Sequence, residues 1–406
     1  MALVNGSPNH ACLPKFADGR ADSEAARKVT LDRLVAEVSP IVFASLPRAD
    51  QRRKGVMYLR GLLGAPGRKS VRNIAAFLGK QVNDQGLHHF INDSTWDWEP
   101  MREALGRYLA RHTSPHACVL QPMIIPKSGT HSVGVARTFS WERGQAVTAQ
   151  QVVGVWAVSA TTASPVNWRL HLPPTRPRGR GERDPSGPET GYDTPEDSMV
   201  RAYLETAMRH RIPDCPVVLN AERLDGIGVV SKLSAAGVSH ISKIADDTWL
   251  LPADPALPGW GDEPLQASRI ARLVKVGRKR MFLIPSGTDE AAELVATVRV
   301  RLPAVPDGTR RSRSGIGDFL LLGVGGIGGQ WPAELWLTDL TNADHASLLR
   351  LIRLSRRVES LGMPRAEQVG IRDFAGRSFA GWHRHATLAS VAHAVTELAE
   401  HKLSIA

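Results

Sequence analysis

The sequence has few cysteines, and none of them has the spacing of a metal ligand pair. Cys12, Cys118 and Cys215 are the three cysteines among 406 residues, and no Cys-x-x-Cys pair occurs. This pattern gives no support for a zinc site built on cysteine pairs. An odd number of widely separated thiols instead predicts buried, reduced side chains in a cytoplasmic protein.

The sequence also lacks a long apolar run. No stretch approaches the roughly 20 apolar residues that a membrane-spanning helix requires, and the N-terminus has no apolar segment of the signal-peptide kind. We therefore predict a soluble, intracellular protein that has no membrane partner.

Acidic residues are outnumbered by basic ones. The chain has 40 Asp and Glu against 51 Lys and Arg, which gives a net charge of +11. Such an excess favours a polyanionic partner, most simply nucleic acid. An arginine-rich proteome would produce the same balance, because arginine greatly outnumbers lysine here. The length allows two or three domains.

The first part of the chain changes from irregular to helical. Residues 1–28 show no hydrophobic periodicity and are predicted to form a disordered tail. Residues 29–115 carry apolar residues at three-to-four spacing, which predicts helices. Within them, residues 70–79 indicate a capped helix, and residues 84–98 a second helix. This pair is compatible with a DNA-binding helix-turn-helix, although an ordinary helical bundle explains the pattern equally well.

Strand patterns dominate the middle of the chain. Residues 116–222 contain apolar or alternating segments that predict a sheet, interrupted at 173–195 by a loop rich in proline, glycine and charge. Residues 223–346 contain further strand candidates separated by glycine and proline turns. Residues 347–406 are predicted to be mainly helical. The strand candidates of the third region are residues 240–244, 280–284, 291–301, 318–322 and 334–337.

The stretch Ile371-Arg-Asp-Phe-Ala-Gly-Arg-Ser-Phe-Ala-Gly-Trp-His-Arg-His-Ala-Thr-Leu388, with Arg357-Val-Glu359 upstream, resembles the C-terminal signature of bacterial DDE transposases. Residues 126–137 match the family well, and the helical region matches it more weakly. The resemblance implies an α/β fold with an RNase H-like mixed-sheet core. It also implies an N-terminal helical DNA-binding domain and a β-rich insertion, at 223–346, before the last helices.

The resemblance places the family's three catalytic acids at Gln121, Asn220 and Glu359, so only the third position keeps a carboxylate. In this mechanism three carboxylates hold two divalent cations. Because Mg²⁺ depends on charged oxygen ligands, two amides and one glutamate supply too little negative charge. We expect no bound cofactor and no metal-dependent nuclease activity. The nearby acids Asp214, Glu222 and Asp225 could lie beside Asn220, but none restores an acid on the first strand.

Two further motifs have competing interpretations. Gly323-Val-Gly-Gly-Ile-Gly328 matches a dinucleotide fingerprint, but the residues after it return to a strand pattern, so a glycine-rich hairpin is favoured. His383, His385 and His393 could meet on a helix, where packing or a phosphate contact is favoured over a metal site.

The predicted function is that of a domesticated, inactive transposase-like DNA-binding protein. It would be a bacterial, nucleoid-associated homodimer that regulates transcription on double-stranded DNA. One alternative is an active, Mg²⁺-dependent transposase whose acids are misaligned here. Another is a protein-interaction module without DNA affinity. The residues predicted to contact DNA are Arg52, Arg53, Lys54, Arg68, Lys69, Arg72, His88, His89, Lys127, Arg137, Arg169, Arg357, Arg372, Arg377 and Arg384.

Overall fold

The computed structural model describes residues 18–79, 82–141, 143–173, 193–210, 214–255, 257, 263–276, 281–286, 289–303 and 317–405. Of the predicted disordered tail, residues 1–17 lie outside this description. Most of the predicted loop at 173–195 does as well. Cys12, and residue 280 of one predicted strand, are also outside it.

The N-terminal region is helical, as predicted. Its helices are α1 (Asp18–Val42), α2 (Ala49–Gly64), α3 (Val71–Leu78), α4 (Asp84–Asn92) and α5 (Glu99–Thr113), with a 3-10 turn at Phe43–Ser45 after α1.

Helix α3 has the predicted caps. The Ser70 hydroxyl accepts a hydrogen bond from the Asn73 backbone N–H at 3.2 Å, and Gly79 ends the helix with φ of 89°. Helix α1 begins earlier than the sequence pattern indicated, inside the predicted tail. Residues 21–28 are rich in alanine, glutamate, arginine and lysine, whose high helix propensity allows them to extend α1 without hydrophobic periodicity.

The core sheet is a mixed one. Strands β1, β5 and β6 are parallel to one another, β3 is antiparallel to β1, and the strand order is β4-β3-β1-β5-β6. This α/β arrangement is the one expected of an RNase H-like core and confirms the predicted fold class. Its strands are β1 (Ala117–Pro126), β2 (Val135–Ser140), β3 (Gln145–Val158), β4 (Ala163–Leu170), β5 (Val217–Asn220) and β6 (His240–Ile244); α6 (Pro195–His210) and α7 (Gly226–Ala235) connect the last three.

Pro122 lies inside β1 without breaking it. Strand β5 pairs only with Cys118–Leu120 of β1. At Pro122, β1 still pairs with β3, but its side toward β5 has no strand partner. Proline is tolerated at such edges because it has no N–H to donate.

The β-rich insertion continues the same sheet. Beyond β6 the order runs β12-β11-β10-β7-β8, with β9 paired to β10. Strand β6 lies within the range predicted for the insertion, yet it pairs with β5; the domain boundaries themselves stay a prediction. Strands β11 and β12 are antiparallel neighbours, which confirms the glycine-rich hairpin. The elements are β7 (Trp249–Pro252), β8 (Leu265–Gln266), α8 (Ala267–Val276), β9 (Phe282–Ser286), β10 (Asp289–Arg301), β11 (Phe319–Gly326) and β12 (Glu334–Thr338).

The last helices close the molecule. They are α9 (His345–Arg357), a π-helical turn at Val358–Gly362, α10 (Met363–Gln368) and α11 (Phe379–Ile405). Helix α11 is buried on every side from Gly381 to Ala399 and packs against α1, α2, α4, α5 and β4. A helix buried all round is a core element, so the N-terminal helices and the sheet share one hydrophobic core.

Cys118 on β1 and Cys215 just before β5 are free, buried thiols, as predicted. Their sulfur atoms are 3.5 Å apart, and the contact with Cys215 together with burial raises the pKa of Cys118. Among the described residues, no helix has the length and hydropathy needed to cross a membrane.

Candidate active-site cleft and basic pocket

The three positions aligned with catalytic acids lie together in one cleft. In the parallel ladder, Leu120 of β1 pairs with Leu219 of β5, so Gln121 and Asn220 follow side by side on adjacent strands. Glu359 reaches them from the π-helical turn after α9. All three line a cleft of about 660 Å³. The structure thus brings together residues that are far apart in the sequence.

Asn220 is hydrogen-bonded on both sides of its amide. Its Oδ1 accepts from the Glu222 backbone N–H at 3.1 Å, and its side chain is hydrogen-bonded to Glu359. Because Oδ1 already accepts, the amide nitrogen is the group that faces the Glu359 carboxylate. A neutral amide thus contacts the third carboxylate directly.

Glu359 is the one carboxylate among the three positions that the resemblance assigns to catalytic acids. Although the residue as a whole is exposed, it lines the cleft, and desolvation raises its pKa. Glu334 raises the pKa further, while Lys243, Asn220 and Arg356 oppose the rise. Desolvation therefore disfavours the ionised form of this carboxyl group.

The side chain of Gln121 has an unsatisfied hydrogen-bond acceptor. Its Oε1 is buried and has no hydrogen-bond partner among the described residues, while Nε2 makes a long 3.4 Å contact with the Pro122 carbonyl. Buried polar atoms normally have partners, so this amide and the Arg372 Nε are exceptions among the groups that line the cleft.

The other acids near the cleft are paired elsewhere. Glu222 forms an ion pair with Lys243 at 3.2 Å, and Glu367 forms one with Arg372 at 2.7 Å. The Asp225 carboxylate caps α7 by accepting from the Gly228 N–H at 3.0 Å, and Asp214 is exposed before Cys215, ahead of β5. Among the described residues, no group of three or more His, Cys, Asp or Glu could hold a metal ion. The donor set of the cleft therefore does not fit two divalent cations.

A family profile described as "DDE superfamily endonuclease" matches residues 42–311, about two thirds of the chain. The chain belongs to this family. The resemblance seen in the sequence is thereby confirmed, and the match includes Gln121 and Asn220 but ends before Glu359. The comparison with curated proteins gives no significant match.

A second, strongly basic pocket adjoins this endonuclease-family cleft. It measures about 640 Å³ and lies between the β1–β2 connection and the segment after α10. Arg372 lines both cavities. The basic side chains of the pocket are Arg68, Lys127, His131, Arg372 and Arg377, and Asp373 is its one acid.

Lys127 is a partly buried cation of this pocket. Its Nζ donates to the Phe374 carbonyl at 2.8 Å. Burial and the nearby Arg68 lower the pKa of Lys127 to about 8, and Asp373 opposes this shift. A desolvated ammonium of this kind gains charge stabilisation when an anion enters.

The other residues predicted to contact DNA fall into two groups. Arg52, Arg53, Arg72, His88, His89 and Arg137 are exposed, and Lys54 is half-buried beside Asp50. The remainder make structural contacts: Lys69 with the Ala65 carbonyl, Arg169 with Asp193 and Glu205, Arg357 with the Thr161 carbonyl, and Arg384 with Trp96 and Ile91.

Arg384 shows why the structure does not offer this second group to phosphate. It is buried, donates to the carbonyls of Trp96 at 3.0 Å and Ile91 at 3.1 Å, and lies over the Trp96 ring. These contacts hold the end of α4 against α11. Arg169 is likewise held by Asp193 at 2.8 Å and Glu205 at 2.5 Å.

The three histidines of α11 pack inside the protein, as the favoured interpretation predicted. His383 lies against Trp98, and His393 Nε2 donates to the Gly362 carbonyl at 3.1 Å. Burial lowers the pKa of His385 to about 4 and that of His393 to about 3. Neutral, enclosed rings of this kind do not contact phosphate.

Two residues were missed at the sequence level. Arg102 is buried and hydrogen-bonds to Thr387, Asn167 and His383; its partners are 65 to 285 residues away, so no local pattern could reveal it. Trp141 is 58% exposed at the cleft rim. A single exposed aromatic residue is common on protein surfaces, so no specific signal in the sequence pointed to it.

Proposed function

We propose that this DDE-family protein is a domesticated transposase that binds double-stranded DNA without cutting it and regulates transcription. The observation that carries the proposal is that two amides, Gln121 and Asn220, lie side by side in one cleft; the sequence resemblance assigns these two positions to the family's acids.

Charge disfavours cleavage in this cleft. Three ionised carboxylates would supply three negative charges to a two-cation site, whereas the three assigned positions supply one, on Glu359. The other two glutamates that line the cleft, Glu222 and Glu367, are ion-paired with Lys243 and Arg372. Hard cations draw much of their affinity from carboxylate charge, and without them the attacking and leaving oxygens of phosphodiester cleavage have no stabilising partner. The protein therefore works without a metal cofactor.

The basic residues that remain exposed support DNA binding. The basic pocket next to the cleft provides four Arg and Lys side chains with one acid. Further exposed basic residues, Arg52, Arg53 and Arg72, lie on α2 and α3. Such residues contact phosphates without reading bases. We further propose that the helical region 29–115 contributes to duplex binding and that a homodimer recognises two-fold related sites in the nucleoid.

The test is a gel-shift series with DNA from the protein's own locus. Salt is titrated from 50 to 200 mM in steps, with and without Mg²⁺ or Mn²⁺, and the DNA is then examined for nicks. We expect a shift that weakens steeply with salt, with the DNA intact in every lane.

Each of the other outcomes would contradict a specific part of the proposal. Metal-dependent nicking that disappears in Glu359→Ala would show that the protein is an active DDE endonuclease. The absence of any shift at low salt would show that it is an interaction module without DNA affinity. A locus fragment bound no more tightly than unrelated DNA would contradict the regulatory part of the proposal.

A further inference from the structure

Two thiols meet on the strands that carry the cleft amides. Cys118 lies on β1, three residues before Gln121, and Cys215 lies just ahead of β5, five residues before Asn220. Both thiols are free and buried, and their sulfur atoms are 3.5 Å apart. The two residues are 97 positions apart in the sequence, so the pairing of β1 with β5 brings them together.

Backbone hydrogen bonds hold the two thiols in place. The Cys118 N–H donates to the Pro216 carbonyl, next to Cys215, at 3.0 Å, and the parallel ladder pairs Cys118 with Val217. A disulfide has an S–S distance of about 2.05 Å, so the sulfur atoms must approach by roughly 1.5 Å to bond. Changes in the side-chain torsions of two cysteines produce a movement of this size.

The two thiols differ in reactivity. Cys215 is 9% exposed and follows the exposed Asp214, whereas Cys118 is 1% exposed. The hydrogen bond from Cys118 lowers the pKa of Cys215, against the opposing effects of burial and Asp214. The contact with Cys215 and burial raise the pKa of Cys118. Because the thiolate is the nucleophile, Cys215 is the attacking group of the pair and Cys118 is the resolving one.

We propose that Cys118 and Cys215 form a redox modification site, which a hydroperoxide converts into a disulfide that ties β1 to the start of β5. The Cys215 thiolate attacks one peroxide oxygen, the O–O bond breaks, and hydroxide leaves as Cys215 becomes a sulfenic acid. The Cys118 sulfur then attacks the Cys215 sulfur, and the S–O bond breaks as the oxygen leaves as water with the Cys118 proton. The proton that Cys215 released neutralises the hydroxide. The two thiols lose two electrons, and the peroxide gains them.

The crosslink acts on a short strand. Strand β5 has four residues, Val217–Asn220, which lie between β1 and β6. The disulfide also closes the long stretch of chain between Cys118 and Cys215, which restricts the unfolded state. The oxidised protein should therefore resist urea better, and the amides of β5 should exchange more slowly with solvent. The crosslink does not depend on DNA binding, so its test is separate from that of the proposed function.

The test uses the full chain with Cys12→Ser, which leaves Cys118 and Cys215 as its two cysteines. The folded protein is treated with a small molar excess of hydrogen peroxide, which catalase then removes. It is unfolded in urea and labelled with a maleimide, and its intact mass is measured. We expect two labels before treatment, and no label with the loss of two hydrogen atoms after it. Dithiothreitol should restore both labels. The urea midpoint should rise on oxidation and return on reduction.

Two further variants, both in the Cys12→Ser chain, separate the roles of the two thiols. Cys118→Ser should stop at a sulfenic acid on Cys215, which dimedone traps, and peroxide should not raise its urea midpoint. Cys215→Ser should give no dimedone adduct, because Cys118 is enclosed and stays a thiol. In the chain with both thiols, oxidation should slow amide exchange at Val217–Leu219. Strand β12, on the other side of β6, is the control and should exchange at an unchanged rate.

Three outcomes would overturn the proposal. Two maleimide labels after peroxide treatment would show that the thiols do not react in the folded protein. A disulfide that forms only when peroxide is added in urea would show that the native core keeps the sulfur atoms apart. Sulfinic or sulfonic acid on Cys215, with Cys118 still labelled, would show that Cys118 does not resolve the sulfenic acid. A disulfide that leaves the urea midpoint and the exchange of β5 unchanged would contradict the tie between β1 and β5.

Discussion

Tyr58 and His385 are hydrogen-bonded at 2.9 Å between the phenol oxygen and Nδ1. The other ring nitrogen of His385 lies 2.8 Å from the Gly370 carbonyl and must donate to it. Nδ1 therefore accepts, and Tyr58 donates. This neutral histidine joins α2 of the helical region to α11, so the N-terminal helices are packed into the core rather than attached to it.

We predict that the protein loses stability as the pH falls below about 6.5. Burial holds the pKa of His385 at about 4 and that of His393 at about 3 in the folded state, whereas the unfolded chain binds protons at about 6.5. Between these values the unfolded state carries more protons. Each such histidine therefore lowers the free energy of unfolding by up to about 1.4 kcal/mol per pH unit.

Urea unfolding at pH 7, 6 and 5 measures this slope. His393→Gln, which can still donate to the Gly362 carbonyl, should reduce the slope by up to one proton. His116→Gln is the matched control, because His116 is exposed and should leave the slope unchanged. Equal slopes in all three proteins would show that the buried histidines do not govern the acid response.

We predict that Arg102→Met destabilises the fold by roughly 3 to 5 kcal/mol, since each hydrogen bond to a charged group contributes about 1.5 to 3 kcal/mol. The substitution leaves the His383 Nδ1 without its donor, which lies at 2.9 Å in the native protein. It also removes the 2.6 Å hydrogen bond to the Asn167 Oδ1, which keeps the Trp168 N–H as its other donor. Arg107→Met on the same helix is the control, since Arg107 is exposed and pairs only with Glu103 at 3.8 Å. Comparable unfolding midpoints for the two variants would contradict the structural role of Arg102.

We predict that Arg68→Ala and Arg377→Ala each weaken DNA binding and reduce the slope of log Kd against log salt by about 1. Both side chains line the basic pocket and are exposed. Arg299→Ala removes an exposed arginine of the insertion that pairs with Asp318, and its slope should match the wild type. If Arg68→Ala leaves the slope unchanged, Arg68 does not contact a DNA phosphate, and the basic pocket is not part of the DNA-binding surface.

We predict that Gly370→Ala costs more stability than Gly67→Ala. Both glycines have positive φ, 85° and 61°, which costs an alanine about 1 to 2 kcal/mol. At Gly370 an added Cβ would also lie 2.4 Å from the Lys69 Cγ, whereas nothing lies within 4 Å at Gly67. Urea midpoints give the comparison. Equal losses would show that the segment after α10 does not press against Lys69.

Local signals allowed part of this structure to be predicted. The caps of α3 at Ser70 and Gly79 and the hairpin at Gly323 depend on neighbouring residues, so the sequence pattern was sufficient. The assignment of Gln121 and Asn220 came from the family resemblance and not from periodicity. In the structure the two residues follow paired positions on adjacent parallel strands.

Long-range packing could not be predicted. Arg384 was expected to contact DNA as one of the arginines retained in the family resemblance, but it is held by the Trp96 and Ile91 carbonyls, almost 300 residues away in the sequence. Trp141 gave no specific sequence signal, and its place beside the cleft depends on how the β2–β3 hairpin projects from the sheet.

The most direct test of the central claim is the binding of Mn²⁺ to the cleft, measured by isothermal titration calorimetry on the wild type, Glu359→Gln and the double variant Gln121→Asp, Asn220→Asp. We predict no Glu359-dependent site in the wild type, because two amides replace the charged ligands. The double variant should gain a site that Glu359→Gln removes again. Wild-type binding of Mn²⁺ that is lost in Glu359→Gln would contradict the account and restore a metal-dependent enzyme.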